Sequence, residues 1–310
     1  MKIFWVAFES GCNLEGERLE QNHYFLRAAV RYGLYPLCWV FLLYGFFLIW
    51  TTQIDPSRIW AVTVVALAVM LLLVEWLVPY DPRWSMSVGS FLADMRFAVV
   101  NIGLVSAFSV LLSIFTITTS GDLSGPARHW NPALQLLAAL LIAEAVNYVL
   151  HRAMHEMRGP FGRFMWLIHA AHHLPPRVYI TMHAVSHPLN GIINQVLAIT
   201  LPIWLMGYDQ RVVTMLLMII NMQTIISHFN VDVRMGWLNY IFVGPELHRY
   251  HHSANVDEAR NYCITLSLYD WLFGTFVYRP GVPPAELGVD PSQGLPAYER
   301  TLSVLALPFR

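Results

Sequence analysis

Eight of the thirteen histidines in this 310-residue chain fall in three short runs. The runs are HRAMH (His151, His155), HAAHH (His169, His172, His173) and HRYHH (His248, His251, His252). Neutral imidazole is a good ligand for iron, zinc and copper alike. On a helix, residues three or four apart share a face, so each run can aim two or three rings at one point. A single HxxxH would be weak grounds for a metal site. Three such runs brought together are different, because eight imidazoles repel when protonated and are costly when buried unpaired. A bound metal removes both penalties. Eight ligands exceed one ion's shell, so the count points to two metals. Structural zinc takes four ligands, typically with cysteine. None of these histidines belongs to a Glu-x-x-His pair of the carboxylate-bridged bundle type. Residues 155–159 read HEMRG, not the HExxH of zinc proteases.

The elements that hold these residues must lie in a membrane. The chain is 56% hydrophobic and only 13% charged, against about 25% charged in soluble domains. A helix needs about 20 apolar residues to span a bilayer. Candidates lie near 36–53, 58–80, 96–118, 132–150, 190–207 and 211–228. The fourth carries Glu144 and Asn147, and the sixth carries Asn221, Gln223 and His228. Polar groups at that depth usually face a protein interior and serve function. Short links at 54–57 and 208–210, marked by Pro56 and Gly207, make two tight hairpins.

Basic residues set the orientation. With the N-terminus cytoplasmic, Arg58, Arg128 and Arg211 lie outside and the other Lys and Arg lie inside. All three histidine runs and His228 then share the cytoplasmic side. The expected fold is an all-α integral membrane protein with about four to six transmembrane helices and a cytoplasmic histidine-rich cap. Its parts are a cytoplasmic segment 1–35, N-terminal transmembrane helices 36–130, a catalytic domain 131–280 and a cytoplasmic tail 281–310. A net charge of −1 gives no reason to expect nucleic acid. Cys12, Cys38 and Cys263 are odd in number and far apart, which suits neither a disulfide framework nor a metal-binding pair.

The pattern HRAMHE, then HAAHH, then PELHRYHHS followed by NY and YDWLFGTF, resembles the fatty acid hydroxylase/sterol desaturase superfamily over roughly residues 140–280. Members are membrane di-iron oxygenases that use dioxygen and reducing equivalents. The resemblance implies that His151, His155, His169, His172, His173, His248, His251 and His252 are ligands. His228, in SHFNVD, resembles the family's additional intramembrane histidine. Glu144 stands where the family commonly has Asp and could orient a ligand from behind. Asp232, four residues after His228, stands at a helical spacing that would permit a ligand or a supporting role, although a solvated loop acid is the plainer reading. His183 and His187 form another HxxxH, but Pro188 disfavours helix there, so they rank as supporting or pocket residues. Asn261, Tyr262, Asp270 and Gly274 match the family's tail and are expected to shape the cap. Met215, Met218 and Met222 recur at helical spacing, as core or as a lipid-facing wall.

The implied activity is hydroxylation, less readily desaturation, of a lipid C–H bond. The substrate would be a fatty acyl chain or an amino-acid-containing lipid such as ornithine lipid. No flavin or nucleotide fingerprint is visible, so electrons must come from a separate ferredoxin, cytochrome or reductase. Arginine outnumbers lysine 18 to 1, which is compatible with a GC-rich bacterium and an inner-membrane location. Two other classes remain open: a zinc-dependent membrane hydrolase or isomerase, and a bis-histidine haem electron carrier.

Overall fold

The computed structural model describes residues 2–119 and 125–310, with side chains for 24–109, 111 and 125–310. Among these residues there is no β-strand, only two isolated bridges. The helices are α1 (Lys2–Thr51), α2 (Pro56–Leu77), α3 (Val88–Thr119), α4 (Pro132–Glu156), α5 (Gly159–His173), α6 (Pro188–Asn194), α7 (Leu201–Met206), α8 (Gln210–Ser227), α9 (Pro245–His251), α10 (Leu268–Leu272) and α11 (Thr301–Leu305). A π-helical stretch, Gln195–Thr200, joins α6 to α7.

Among the described residues, six stretches are long and apolar enough to cross a membrane: Tyr24–Thr51, Pro56–Leu77, Val88–Ser109, Pro132–Glu156, Pro188–Met206 and Gln210–Ser227. Their starts are written in the sequence. Asp55, Asn131 and Asp209 cap α2, α4 and α8 by accepting a backbone N–H, and Pro56 and Pro132 occupy the first turn. Gly207 ends α7 in the left-handed region, with φ +68°. A side chain on its neighbour Gly125 would run into the Met206 backbone, so this turn packs main chain on main chain.

Two boundaries differ from the sequence reading. The first span does not begin at Pro36; α1 runs unbroken through it and across the 35/36 border. A proline removes one helical hydrogen bond, but Leu34, Tyr35 and Cys38 beside it are buried in the main core, and that packing carries the helix onward. The third helix begins at Val88, eight residues before the expected 96, with Ser87 and Ser90 bonding to each other at its start.

The main core lies between α1, α2 and α8, around Leu42, Ile49, Leu67, Leu71, Met218, Met222 and Ile226. Met218 and Met222 are buried there and Met215 is packed at the edge, so the methionine stripe is core. The opposite face of α2 is just as apolar yet uncovered, with Val62 70% and Trp76 79% exposed. A helix that is apolar all round needs either protein or lipid on every side. The ends of α2, α4 and α8 and the starts of α3 and α6 meet at one end of the bundle, where α5 packs on α4 and α9 on α8.

Candidate metal centre

The nine histidines His151, His155, His169, His172, His173, His228, His248, His251 and His252 gather at that end in two groups. One group holds His151, His155, His169, His173 and His251; the other holds His172, His228, His248 and His252. Within each, one ligating atom per residue lies within 4.8 Å of all the others. The runs are shared out by helical phase. The i, i+4 pair of α5 (His169, His173) faces the first group, and the intervening His172 turns to the second. The i, i+4 pair His248 and His252 faces the second, and His251 turns back to the first. His151 and His155 come from the end of α4, and His228 caps α8. The groups abut, with the His173 and His252 rings 4.6 Å apart.

Ring tautomers follow from the backbone. Nδ1 of His151 lies 2.6 Å from the Tyr262 carbonyl, Nδ1 of His172 3.1 Å from that of Val185, Nδ1 of His228 2.8 Å from that of Thr224, and Nδ1 of His251 3.0 Å from that of Arg260. A carbonyl only accepts, so each Nδ1 carries the proton and each Nε2 is bare. Yet Nε2 of His172 and Nε2 of His228 face each other at 3.0 Å, with no proton available between them. The spacing repeats through the centre: His151–His169 and His169–His173 at 3.0 Å, His228–His248 at 2.9 Å and His248–His252 at 3.1 Å, all between Nε2 atoms. Nε2 of His251 and of His155 are buried and unpaired. Converging lone pairs need a cation. Nitrogen ligands about 2.1 Å from one ion and at right angles stand about 3.0 Å apart, so the donor set fits a metal in each group.

Outside the spans, His169, His173, His248, His251 and His252 are held well below the ordinary imidazole pKa, by burial first and by neighbouring imidazoles second. His172 is pushed down to about 3 by the same two causes. The rings are therefore neutral, as ligands must be.

Two carboxylates hold the main chain that holds His151. Asp270 accepts the N–H groups of Tyr262 and Cys263 at 2.8 and 2.9 Å, and Glu144 accepts those of Ile264, Thr265 and Leu266 at 2.8, 2.8 and 3.0 Å. Five successive N–H groups are thus fixed, and the Tyr262 carbonyl is aimed at His151. Asn261, with φ +58°, bonds the Leu247 and Val277 carbonyls and the Val277 N–H, tying α9 to the segment behind it. Glu144, Asn261 and Asp270 therefore act through backbone, not by touching an imidazole.

His183 sits in a 3₁₀ turn, Ile180–Ala184, with its ring 5.0 Å from that of His228 and open to the central cavity. His187 is turned away: its Nε2–H donates to the Leu305 carbonyl and its Nδ1 accepts the Leu189 N–H as the cap of α6. Asp232 is also remote from the rings, paired with Arg31 and Arg234 at 2.6 Å.

Two positioning residues escaped the sequence reading. Glu75, a lone acid near the end of α2, accepts the N–H of Ile180 at 3.1 Å and of Asn230 at 2.8 Å. It ties the His183 turn and the chain after His228 to the bundle. A single carboxylate in an apolar span was the available signal. Arg249, inside the HRYHH run, donates to the Phe229 and Val231 carbonyls and lies over the Tyr80 ring at 4.3 Å. Its surrounding histidines masked it.

Residues 136–275 match the family model described as Fatty acid hydroxylase. Over that stretch the chain is similar to the fatty acid hydroxylase family. The matched stretch runs from α4 through α10 and contains all nine clustered histidines. The chain is also similar to the ornithine lipid hydroxylase OlsE of Rhizobium tropici, 27% identical over 246 residues, which are 76% of this chain and 72% of the relative. No solved structure matches the chain.

Proposed function

We propose that this protein is a membrane-bound di-iron hydroxylase acting on a C–H bond of a bacterial membrane lipid, with an amino-acid-containing lipid such as ornithine lipid as the favoured class. The observation that carries the reading is the pair of imidazole groups with bare Nε2 atoms at metal-ligand spacing. The family match and the name of the relative give that pair its chemistry. Residues 131–280 form the catalytic unit. His151, His155, His169, His173 and His251 hold one iron, and His172, His228, His248 and His252 the other.

When bound, the irons supply dioxygen activation and electron storage. The chain supplies the rest. It keeps the rings neutral, aims His151, His172, His228 and His251 through main-chain carbonyls, and walls the reacting carbon off from water. The overall reaction takes one C–H bond, dioxygen, two electrons and two protons to one alcohol and one water. A separate ferredoxin, cytochrome or reductase delivers the electrons at the exposed cap, which faces the cytoplasm on the inner membrane. A haem carrier fits less well, because nitrogens converging at 3.0 Å leave no slot for a porphyrin between them.

The test is comparative lipid mass spectrometry of cells with and without the gene, grown under ¹⁸O₂. A lipid that gains one labelled oxygen only with the gene supports the proposal. Unchanged lipids, or product that persists after His172→Ala plus His252→Ala, overturn it. Metal analysis finding zinc and an activity indifferent to oxygen would favour the hydrolase alternative.

A further inference from the structure

Two segments on either side of the HRYHH run carry a surface that does not suit water. Residues 236–243 and 262–276 hold a single charged side chain between them, Asp270, and it is buried. Their exposed side chains are large and apolar: Trp237, Ile241, Leu268, Trp271, Leu272 and Phe273, with Trp237 69% and Leu272 67% exposed. The two segments are joined. The Val243 N–H donates to the Thr265 carbonyl and the Ser267 N–H to the Ile241 carbonyl, both at 3.0 Å, and the Tyr240 and Trp271 rings lie 5.4 Å apart.

Their depth follows from the helices they touch. The ends of α1, α4 and α8 away from the histidines are level, since Arg211 lies over the Trp50 ring at 5.0 Å and Gln135 accepts the Asp209 N–H at 2.8 Å. The charges of Asp209 and Arg211 put the edge of the hydrocarbon at that plane. Four contacts then fix the two segments. Phe242 packs on Trp39 with ring centres 5.1 Å apart, and Gln223 donates to the Val243 carbonyl at 3.3 Å. The Tyr269 hydroxyl donates to the Leu141 carbonyl at 3.0 Å, and Phe273 stacks on Tyr148 at 5.3 Å. At about 1.5 Å of rise per residue, Trp39, Gln223, Leu141 and Tyr148 stand about 17, 18, 9 and 20 Å from the plane. All four lie inside a hydrocarbon layer about 30 Å thick. The paired charges of Arg152 and Glu156, one and two turns beyond Tyr148, mark its other edge.

Non-helical backbone at that depth must find its hydrogen bonds inside the protein. It does so here: Asp270 and Glu144 accept the five successive N–H groups of residues 262–266. A loop bathed in water would take such bonds from solvent. We propose that residues 236–243 and 264–273 form a re-entrant wedge that dips into the histidine-side leaflet, with Trp237, Ile241, Trp271 and Leu272 against its acyl chains. The wedge continues the apolar surface of α4, where Leu137, one turn from Leu141, is 52% exposed. It also supplies Ile264 and Thr265 to the wall of a cavity of about 440 Å³ between α4 and α8, and Ile264 to a cavity of about 180 Å³ beside the histidines. Leaflet and site share the wedge as a common wall. The proposal stands apart from the hydroxylase reading and needs only that the candidate spans cross a bilayer.

Fluorescence quenching tests it. The full chain, in a Cys12→Ser background, carries a bimane label on one introduced cysteine and is placed in phosphatidylcholine nanodiscs. The quenchers are lipid brominated on its acyl chains and iodide in the water. Val62→Cys, in the uncovered face of α2, is the lipid reference, and Arg300→Cys the water reference. Trp237→Cys, Ile241→Cys and Leu272→Cys should be quenched by brominated lipid as Val62→Cys is, and spared by iodide. Leu268→Cys serves in place of any label that shifts the wild-type melting point. Iodide quenching at the level of Arg300→Cys overturns the wedge, and so does quenching by neither agent, which is the mark of a protein partner or a second copy on this face. If Val62→Cys is itself quenched by iodide, the span and the wedge fall together. Leu272→Asp adds a second readout. A charge facing acyl chains should lower the thermal midpoint in nanodiscs, whereas an unchanged or raised midpoint, the result for a leucine facing water, overturns the wedge.

Discussion

At the scale of the residue, His172 and His228 define the centre. Their Nδ1 atoms donate to main-chain carbonyls, and their Nε2 atoms face each other bare at 3.0 Å. His228→Ala should remove the metal of its own group and spare the other, so metal content falls from two ions per chain to about one. Elemental analysis of the purified variant reads that directly, and product formation should fall at least about 100-fold. The metal-free chain should also be acid-sensitive. A free imidazole takes up a proton near pH 6.5, whereas His172 in the fold is held down to about 3 by burial and nearby imidazoles. The unfolded chain therefore binds more protons in between, and stability falls as pH drops from about 6.5 towards 3. Thermal unfolding of the metal-free protein in detergent at pH 7.5, 6 and 5 should show a falling midpoint. The metal-loaded protein should release its ions over the same range as protons compete for the ligands.

At the scale of the element, short pieces of main chain are held in place by buried acids. Glu144→Gln puts an NH₂ where backbone N–H groups need an acceptor. It should lower stability by about 1–3 kcal/mol and loosen the Tyr262 carbonyl that aims His151, with the thermal midpoint and metal content as readouts. Glu75→Gln should act on the other group, through the turn bearing His183 and the chain after His228. Its metal loss should therefore concentrate in the four-histidine group, whereas that of Glu144→Gln should concentrate in the five-histidine group. This layer was only partly legible in the sequence. The helices were, because runs of about 20 apolar residues mark them. The histidines were, because i, i+3 and i+4 spacing is a local property. The sharing of each HxxHH run between two groups was not, since it depends on how α5 and α9 face each other. Nor was the part played by Glu144 and Asp270, whose partners are backbone N–H groups that no residue type announces. Asp232 and His187 stood at plausible spacings, but Arg31, Arg234 and the Leu305 carbonyl claimed them.

At the scale of the whole molecule, the described residues include six apolar helices, and both imidazole groups lie at one end of them. On the topology proposed above, the distribution of arginine puts that end in the cytoplasm. In a Cys12→Ser background, Arg300→Cys should react with a membrane-impermeant thiol reagent in inverted vesicles and not in intact spheroplasts. Arg58→Cys should do the opposite. The native Cys38 and Cys263 are buried and should stay silent. Labelling of Arg300→Cys in intact spheroplasts would reverse the assigned topology.

The sharing of the HRYHH run has a consequence for biosynthesis. His251 completes the five-histidine group, and His248 and His252 complete the other, yet all three lie downstream of the six candidate spans among the described residues. As the chain leaves the ribosome, all six spans are made before either group has its full set of ligands. On the di-iron reading, metal loading is then a late, post-insertion step, and a ribosome stalled between the last span and residue 245 leaves a chain in the bilayer that cannot complete either centre.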